Sequence, residues 1–506
     1  MSTFHEYDFS PYLEALGTNG YTEDELLQAI LQRFAPQAAE ESETLLVDFG
    51  ARAAGIYREL ADVVERPEKL PYISRKDAHN RWRDQAVIPP ETRRMLAEQH
   101  GARLAGGELD DFVRYAIIFM LGQNGEAGTA CSLACTDGLI RALRELGDDE
   151  RSRRTLERLL ANTPESWVHG AQFVTEIQGG SDAATNAVQA VPAADGLYRL
   201  HGEKWFCSNC TADYWLVTAR PEGARSGPKG VGLFVVPRLR EDGAPNGYAL
   251  DRLKDKVGSR ALPTAEITLD GAEGWLLGPA DAGLKNTVAI VLVTSRILTT
   301  LGATAMLRGA SRIAAAYCGF REAFGVRIDR MPLVAEALDR IRRQSDLALA
   351  GTFETIQLWL AHSAHGRELG DIASRVHVSL AKAVCTREAQ QAIYEAMVLL
   401  GGNGIEERFS ALPRLMRDAA IYETWEGPYT LLLMQALGDL ARFDVRGREE
   451  EFLERVWPVR DVPSDLASTL REVLADPDSE KNILRFREFA HDYWSAYQQA
   501  ALSHYE

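Results

Sequence analysis

The stretch Tyr198-Arg-Leu-His-Gly-Glu-Lys-Trp-Phe206 decides the fold, because a helical pattern gives way here to a strand. Residues 214–219, 231–236 and 265–269 are further short runs rich in β-branched and aromatic residues, bounded by Gly, Pro and Asp clusters. Together they predict a small, mostly antiparallel β-domain over 168–280. Upstream, 23–33, 45–64, 91–99, 109–121 and 132–146 place apolar residues three or four apart, the signature of helices. Turn formers such as Arg66-Pro-Glu-Lys-Leu-Pro71 and Gly122-Gln-Asn-Gly125 separate them. Residues 1–167 therefore read as an N-terminal helical domain with an extra N-terminal segment. Downstream the helical period returns in long segments, 284–320, 333–365, 373–400 and 429–443, as in a helical bundle over 281–443. Residues 444–506 read as a helical appendage. The class is α+β.

Composition sets outer bounds. With 506 residues, 46% of them hydrophobic, and nine Trp, the chain has apolar surface for several packed cores and is not disordered. A balance of 56 basic against 73 acidic residues, net −17, argues against a default nucleic-acid binder. The opening MSTFHEYDFS has neither a basic nor an apolar leader segment, and no uncharged apolar run of spanning length is expected. Six cysteines, at 131, 135, 207, 210, 318 and 385, are too few and scattered for a disulfide scaffold. Cys207-Ser-Asn-Cys210 has zinc or redox spacing but no second ligand pair, so no metal is expected. The expectation is a soluble, cytoplasmic protein.

Four local signals carry chemistry, and each has a plain structural reading beside it. In Val174-Thr-Glu-Ile-Gln-Gly-Gly-Ser-Asp182, adjacent glycines and a hydroxyl suit an anionic or polar ligand, or simply a surface loop. Gly202-Glu-Lys-Trp-Phe-Cys-Ser-Asn209 offers an aromatic wall and a hydroxyl to a planar heterocycle, or is a core strand with a polar end. Arg321-Glu-Ala-Phe-Gly325 supplies a fork of donors for a diphosphate and a ring that could stack, or an ordinary helix terminus. Last come Gly401-Gly-Asn-Gly404, Arg417-Asp418 and Tyr422-Glu-Thr-Trp-Glu-Gly-Pro428. There Glu426, between Trp425 and Gly427, is either a desolvated base or a solvated surface group.

In this order and spacing the four motifs resemble those of the acyl-CoA dehydrogenase family, over about residues 109–440. The family's T-E-x-x-x-G-S-D loop matches Thr175, Glu176, Gly180, Ser181 and Asp182, and its K-x-[WF]-[IC]-[ST]-N strand matches Lys204, Phe206, Ser208 and Asn209. R-x-x-F-G matches Arg321, Phe324 and Gly325. G-G-x-G, R-D and aromatic-E-G match Gly401, Gly402, Gly404, Arg417, Asp418, Trp425, Glu426 and Gly427.

The resemblance implies a helical domain, a β-domain and a four-helix bundle, with FAD between the last two. It implies Thr175, Phe206 and Ser208 around the flavin, Ser181 at a phosphate, and Gly180 among the cofactor-binding residues. Arg321, Phe324, Gly401 and Gly402 would hold the rest of a FAD, usually a neighbouring subunit's, so a homodimer or homotetramer is implied. Glu426 takes the place of the catalytic base, removing the α-proton of an acyl-CoA thioester while the β-hydride goes to flavin N5. Arg296, Trp425 and Gly427 fall on the substrate side, and electron-transfer flavoprotein is the implied acceptor. Pro428 and Thr430 stand where the family often has Thr and Gln, and Val398-Leu-Leu replaces a frequent Gln. Within the family the chain looks most like the AidB-like branch, which keeps FAD and the glutamate. The alternative function is therefore that of an alkylation-response flavoprotein with a DNA-associated protective role and weak dehydrogenase activity. Residues 441–506, with nine basic against fourteen acidic residues, do not support a phosphate-binding tail.

Overall fold

The computed structural model describes residues 7–362, 366–443 and 445–506, so residues 1–6 of the opening segment, 363–365 at the end of a predicted helix, and 444 lie outside it. Its N-terminal unit is helical: Ser10–Leu16, Glu25–Phe34, Pro36–Glu41, Glu43–Arg52, Arg58–Val64, Pro90–Gly101, Asp111–Gly122, Ala127–Leu146 and Glu150–Leu160. Capping explains several starts. Asp24 accepts from the Leu27 N–H at 3.1 Å, Asp110 from Phe112 at 2.8 Å and Asp149 from Ser152 at 2.7 Å, each filling an orphan donor of a first turn. Between two of these helices lies an antiparallel hairpin, β1 (Tyr72–Lys76) against β2 (Trp82–Val87). Periodicity does not announce it, because its strands are largely polar and it is held from outside. Arg75 donates to the Asp251 carbonyl at 2.7 Å, and Asp84 accepts from the Leu250 N–H at 2.7 Å.

The β-domain has seven strands: β3 (Gly170–Phe173), β4 (Gln189–Pro192), β5 (Leu197–Ser208), β6 (Tyr214–Pro221), β7 (Gly232–Pro237), β8 (Tyr248–Leu253) and β9 (Thr264–Leu276). The path β6-β4-β5-β9-β7 returns to β6, closing a small barrel, with β3 beside β6 and β8 beside β9. All pairings are antiparallel except β3–β6 and β4–β6. Its interior is filled by Phe173, Trp215, Val217, Phe234 and Ile267.

The bundle follows: Val293–Phe320, Pro332–Leu360, Leu369–Leu399, and a fourth member broken into Leu412–Thr424 and Tyr429–Arg442. The periodicity read only the second half of that broken helix. The helical stretch Gly283–Phe320 is long and apolar enough to cross a bilayer, although Lys285, Arg296, Arg308 and Arg312 interrupt it, and 83% of its most apolar window is buried inside the protein. Its hydrophobicity serves the core. Residues 445–506 form helices Glu449–Val456, Ser464–Ala475 and Glu480–Leu502, and they are no appendage. Trp457, Tyr493, Trp494 and Tyr497 are buried in the same core as the bundle, and Tyr497 packs 4.3 Å from His377. All six cysteines are buried free thiols.

Candidate active site

The break in the fourth bundle helix carries Glu426. Helix Leu412–Thr424 stops at an extended Trp425, and Pro428, also extended, caps the start of Tyr429–Arg442. Between them Glu426 has φ +54° and Gly427 φ +105°. A left-handed glutamate costs about 1–3 kcal/mol and persists only when its surroundings hold it. Two buried cations do so. Lys382 spans the break, donating to the Glu423 carbonyl at 3.0 Å and the Gly427 carbonyl at 2.8 Å. Arg296 donates through Nε to the Glu426 carbonyl at 3.0 Å, while its other nitrogens reach Ser379 Oγ at 3.1 Å and Gln435 Oε1 at 2.8 Å. Carbonyls that lost their helical partners thus regain donors.

The side chain of Glu426 points at β3. Gln172 Nε2 donates to its Oε1 at 3.1 Å and to Ser295 Oγ at 3.3 Å. Among the described residues no other side chain donates to this carboxylate, so Oε2 remains open to a reactant. Burial pushes Glu426 up to about 7, against the pull of Arg296, Lys382 and the Gln172 amide. Burial likewise brings Lys382 down to about 7 and Arg296 to about 10. One wall is apolar and soft: Trp425 packs against Cys131, Cys135 and Leu262. The Cys135 thiol is held well above the usual range, by its contact with Cys131 first and by burial second. A carboxyl poised near neutrality, partly buried and with one oxygen free of any side-chain donor among the described residues, is equipped to take a proton from a weakly acidic carbon.

The predicted cofactor residues fall into two places. Thr175, Gly180 and Ser181 lie on the loop after β3, and Phe206 and Ser208 lie at the end of β5. Phe206 is 49% exposed, and Ser208 Oγ lies 3.2 Å from Thr264 Oγ1. Their motif neighbours are structural. Lys204 and Glu176 form a buried ion pair at 2.8 Å, Glu176 also accepts from the Ala187 N–H at 2.6 Å, and Asn209 donates to Gly170 O at 2.8 Å. Arg321, Phe324, Gly401 and Gly402 gather elsewhere, at the far end of the bundle. There Asn403 donates to the Tyr317 hydroxyl at 3.0 Å and Arg321 lies over the ring of Tyr7. Phe324 is 98% exposed.

Sequence comparison places this geometry. The acyl-CoA dehydrogenase middle domain matches residues 171–272 and the acyl-CoA dehydrogenase C-terminal domain matches 281–437, together just over half of the chain. The chain belongs to the acyl-CoA dehydrogenase family. It is 29% identical to acyl-CoA dehydrogenase family member 11 of Caenorhabditis elegans over 83% of this chain and 70% of that protein. It is 33% identical to AidB of Escherichia coli (strain K12) over 64% of this chain and 60% of that protein. Among solved structures, the apo form of Bd2924 matches with TM-score 0.88 at 27% identity, covering 96% of this chain and 98% of that one. The Caenorhabditis elegans ACDH-11 complex with C11-CoA matches with TM-score 0.81 at 24% identity, covering 96% and 87%.

Members of this family are FAD-binding flavoproteins, and the residues here fit that cofactor. Phe324 is almost wholly exposed and Phe206 is half exposed, with Lys254 Nζ 4.5 Å from its ring centroid, so both rings offer surface to a planar group. A side chain at Gly180 would meet Thr175 Oγ1 at 3.1 Å, and one at Gly401 or Gly402 would meet nothing within 4 Å, leaving open turns that another molecule can approach. Hydroxyl donors stand in one place and a guanidinium in the other, matching a flavin edge and a diphosphate. Sequence reasoning missed Gln172, Ser295 and Lys382. Gln172 sits three residues before Thr175, inside the recognised region, but its partner is 254 positions away and only the fold joins them.

Proposed function

We propose that the protein is an FAD-dependent acyl-CoA dehydrogenase in which Glu426 removes the α-proton of a saturated acyl thioester. The observation that carries this reading is the Glu426 carboxyl itself: partly buried, strained into place, lifted to about 7, and left with one unoccupied oxygen. Arg296 and Lys382 fix the backbone on either side of the base, so its reach into the recess does not depend on a flexible turn. The Glu426 N–H is the donor proposed for the thioester carbonyl, which makes the α-proton more acidic. Trp425, Cys131, Cys135 and Leu262 keep the acyl side dry. FAD, when bound, supplies the hydride acceptor at N5.

Oxidation of the reduced cofactor by electron-transfer flavoprotein completes the proposed cycle. The exposed Arg321-to-Gly325 hairpin and the open Gly401-Gly402 turn suit a FAD held across two subunits, which supports a homo-oligomer. Similarity to AidB supports a nucleic-acid role less well than the dehydrogenase reading, because the last three helices are net acidic and spend their aromatic residues on the core. Anaerobic mixing of the FAD-loaded protein with acyl-CoAs of increasing length is expected to bleach the flavin absorbance. Glu426→Gln should slow that bleaching about a thousandfold. Unchanged absorbance with every thioester would refute the proposal.

A further inference from the structure

Beside the base stands a group that the motifs do not assign. Gln172, on β3, donates Nε2–H to Glu426 Oε1 at 3.1 Å and to Ser295 Oγ at 3.3 Å. Its other terminal atom, Oε1, is enclosed and has no hydrogen-bond partner among the described residues. An enclosed amide oxygen without a donor is costly, by about 1–3 kcal/mol, and calls for an explanation. The chemistry at Glu426 provides one. As a carboxylate, Glu426 can only accept, and Nε2 serves it. Once it holds a proton, taken at the open Oε2 and brought round to Gln172 by a half-turn of the carboxyl, Glu426 has an O–H to donate, and a half-turn of the Gln172 amide brings Oε1 to that O–H. Ser295 is equally adaptable, because a hydroxyl accepts from Nε2 or donates to Oε1 by rotation.

We propose that Gln172 is a positioning residue that keeps the Glu426 carboxyl in one place through the proton transfer, donating to the carboxylate and, with its amide turned over, accepting from the acid. The amide carries both a donor and an acceptor at this reach. A leucine or methionine there would fill the space and serve neither state, and a second carboxylate would repel the first. Arg296 and Lys382 fix the backbone of the break, whereas Gln172 is the side-chain contact that follows the proton. The inference rests on Glu426 acting as the base, but its test does not require turnover.

Difference infrared spectra, each protein minus its own Glu426→Gln counterpart, read the Glu426 carboxyl between about pH 5 and 9. The bond to the charged state is the stronger of the two. Gln172→Leu and the closer-sized Gln172→Met should therefore both move the titration midpoint up by roughly half to one pH unit. They should also shift the protonated carbonyl band to higher frequency, because the acid has lost its acceptor. The same variants should lower kcat more than they raise KM, with the deficit shrinking at alkaline pH. An unmoved midpoint in folded variants overturns the proposal. A moved midpoint with an unmoved acid band overturns its second half, since the amide then does not turn over. If the spectra behave as expected and no acyl-CoA bleaches the flavin, the hydrogen-bond assignment stands and the dehydrogenase reading falls.

Discussion

Two carboxyl groups eight residues apart, Asp418 and Glu426, are both pushed by burial up to about 7, yet only one is fitted for chemistry. Asp418 accepts from the Ser259 N–H at 2.7 Å through one oxygen and from the Ala127 N–H at 2.9 Å through the other. It thereby ties the C-terminal bundle to the β-domain and the N-terminal helices, and neither oxygen is left over. Glu426 has one oxygen engaged by an amide that can rotate and one open to the recess. A lifted pKa marks burial. The free valence on the side chain is what distinguishes a base from a clasp.

Substitution should separate the two most sharply at the base. Glu426→Gln should cost about a thousandfold in the rate of flavin reduction, measured by stopped flow, while the melting temperature holds or rises. Lys382→Met removes the donor from two enclosed carbonyls. It should cost about 2–3 kcal/mol of stability in urea unfolding and lower kcat in the folded fraction, because Glu426 no longer keeps its left-handed backbone. Asp418→Asn should reverse the pattern seen at Glu426. About 2 kcal/mol of stability is lost because an amide nitrogen faces a backbone N–H, and the folded fraction turns over normally.

The clasp also predicts a pH dependence. Burial, with Glu65 nearby, raises Glu126 to about 8 and holds Asp418 up in the same direction. Acids raised on folding contribute stability that is whole below their unfolded values and is lost as pH climbs through their folded ones. Melting temperature should therefore fall as pH rises from about 4 to 8, and Glu126→Gln should flatten the slope. The smallest effect belongs to the other end of the bundle. Phe324→Ala should leave the apoprotein's melting temperature unchanged, since the ring is 98% exposed, and weaken flavin retention on dilution about fivefold.

Much of this was legible before folding, for physical reasons that differ by residue. Glu426 and the glycine turns sit in local motifs whose backbone demands are written into the sequence, whereas Arg296 is reached only through the family resemblance. The bundle and β-domain announced themselves by period. The hairpin β1–β2 did not, because its polar strands are held by Asp251 and Leu250 of another domain. Helix Leu412–Thr424 lies in a motif region to which periodicity assigns no element, and 444–506 reads as an appendage because its aromatic residues give no hint of the core they enter. Gln172 and Lys382 were illegible in principle: each matters through a partner that only the tertiary fold supplies.

The most direct measurement is exchange of the substrate's α-hydrogen in deuterated water, followed by mass spectrometry, with an acyl-CoA analogue whose β-position cannot release hydride. Wild-type protein should wash deuterium into the α-carbon, fastest above about pH 7, and Glu426→Gln should not. Equal exchange by both proteins would contradict the assignment of Glu426 as the group that takes the proton.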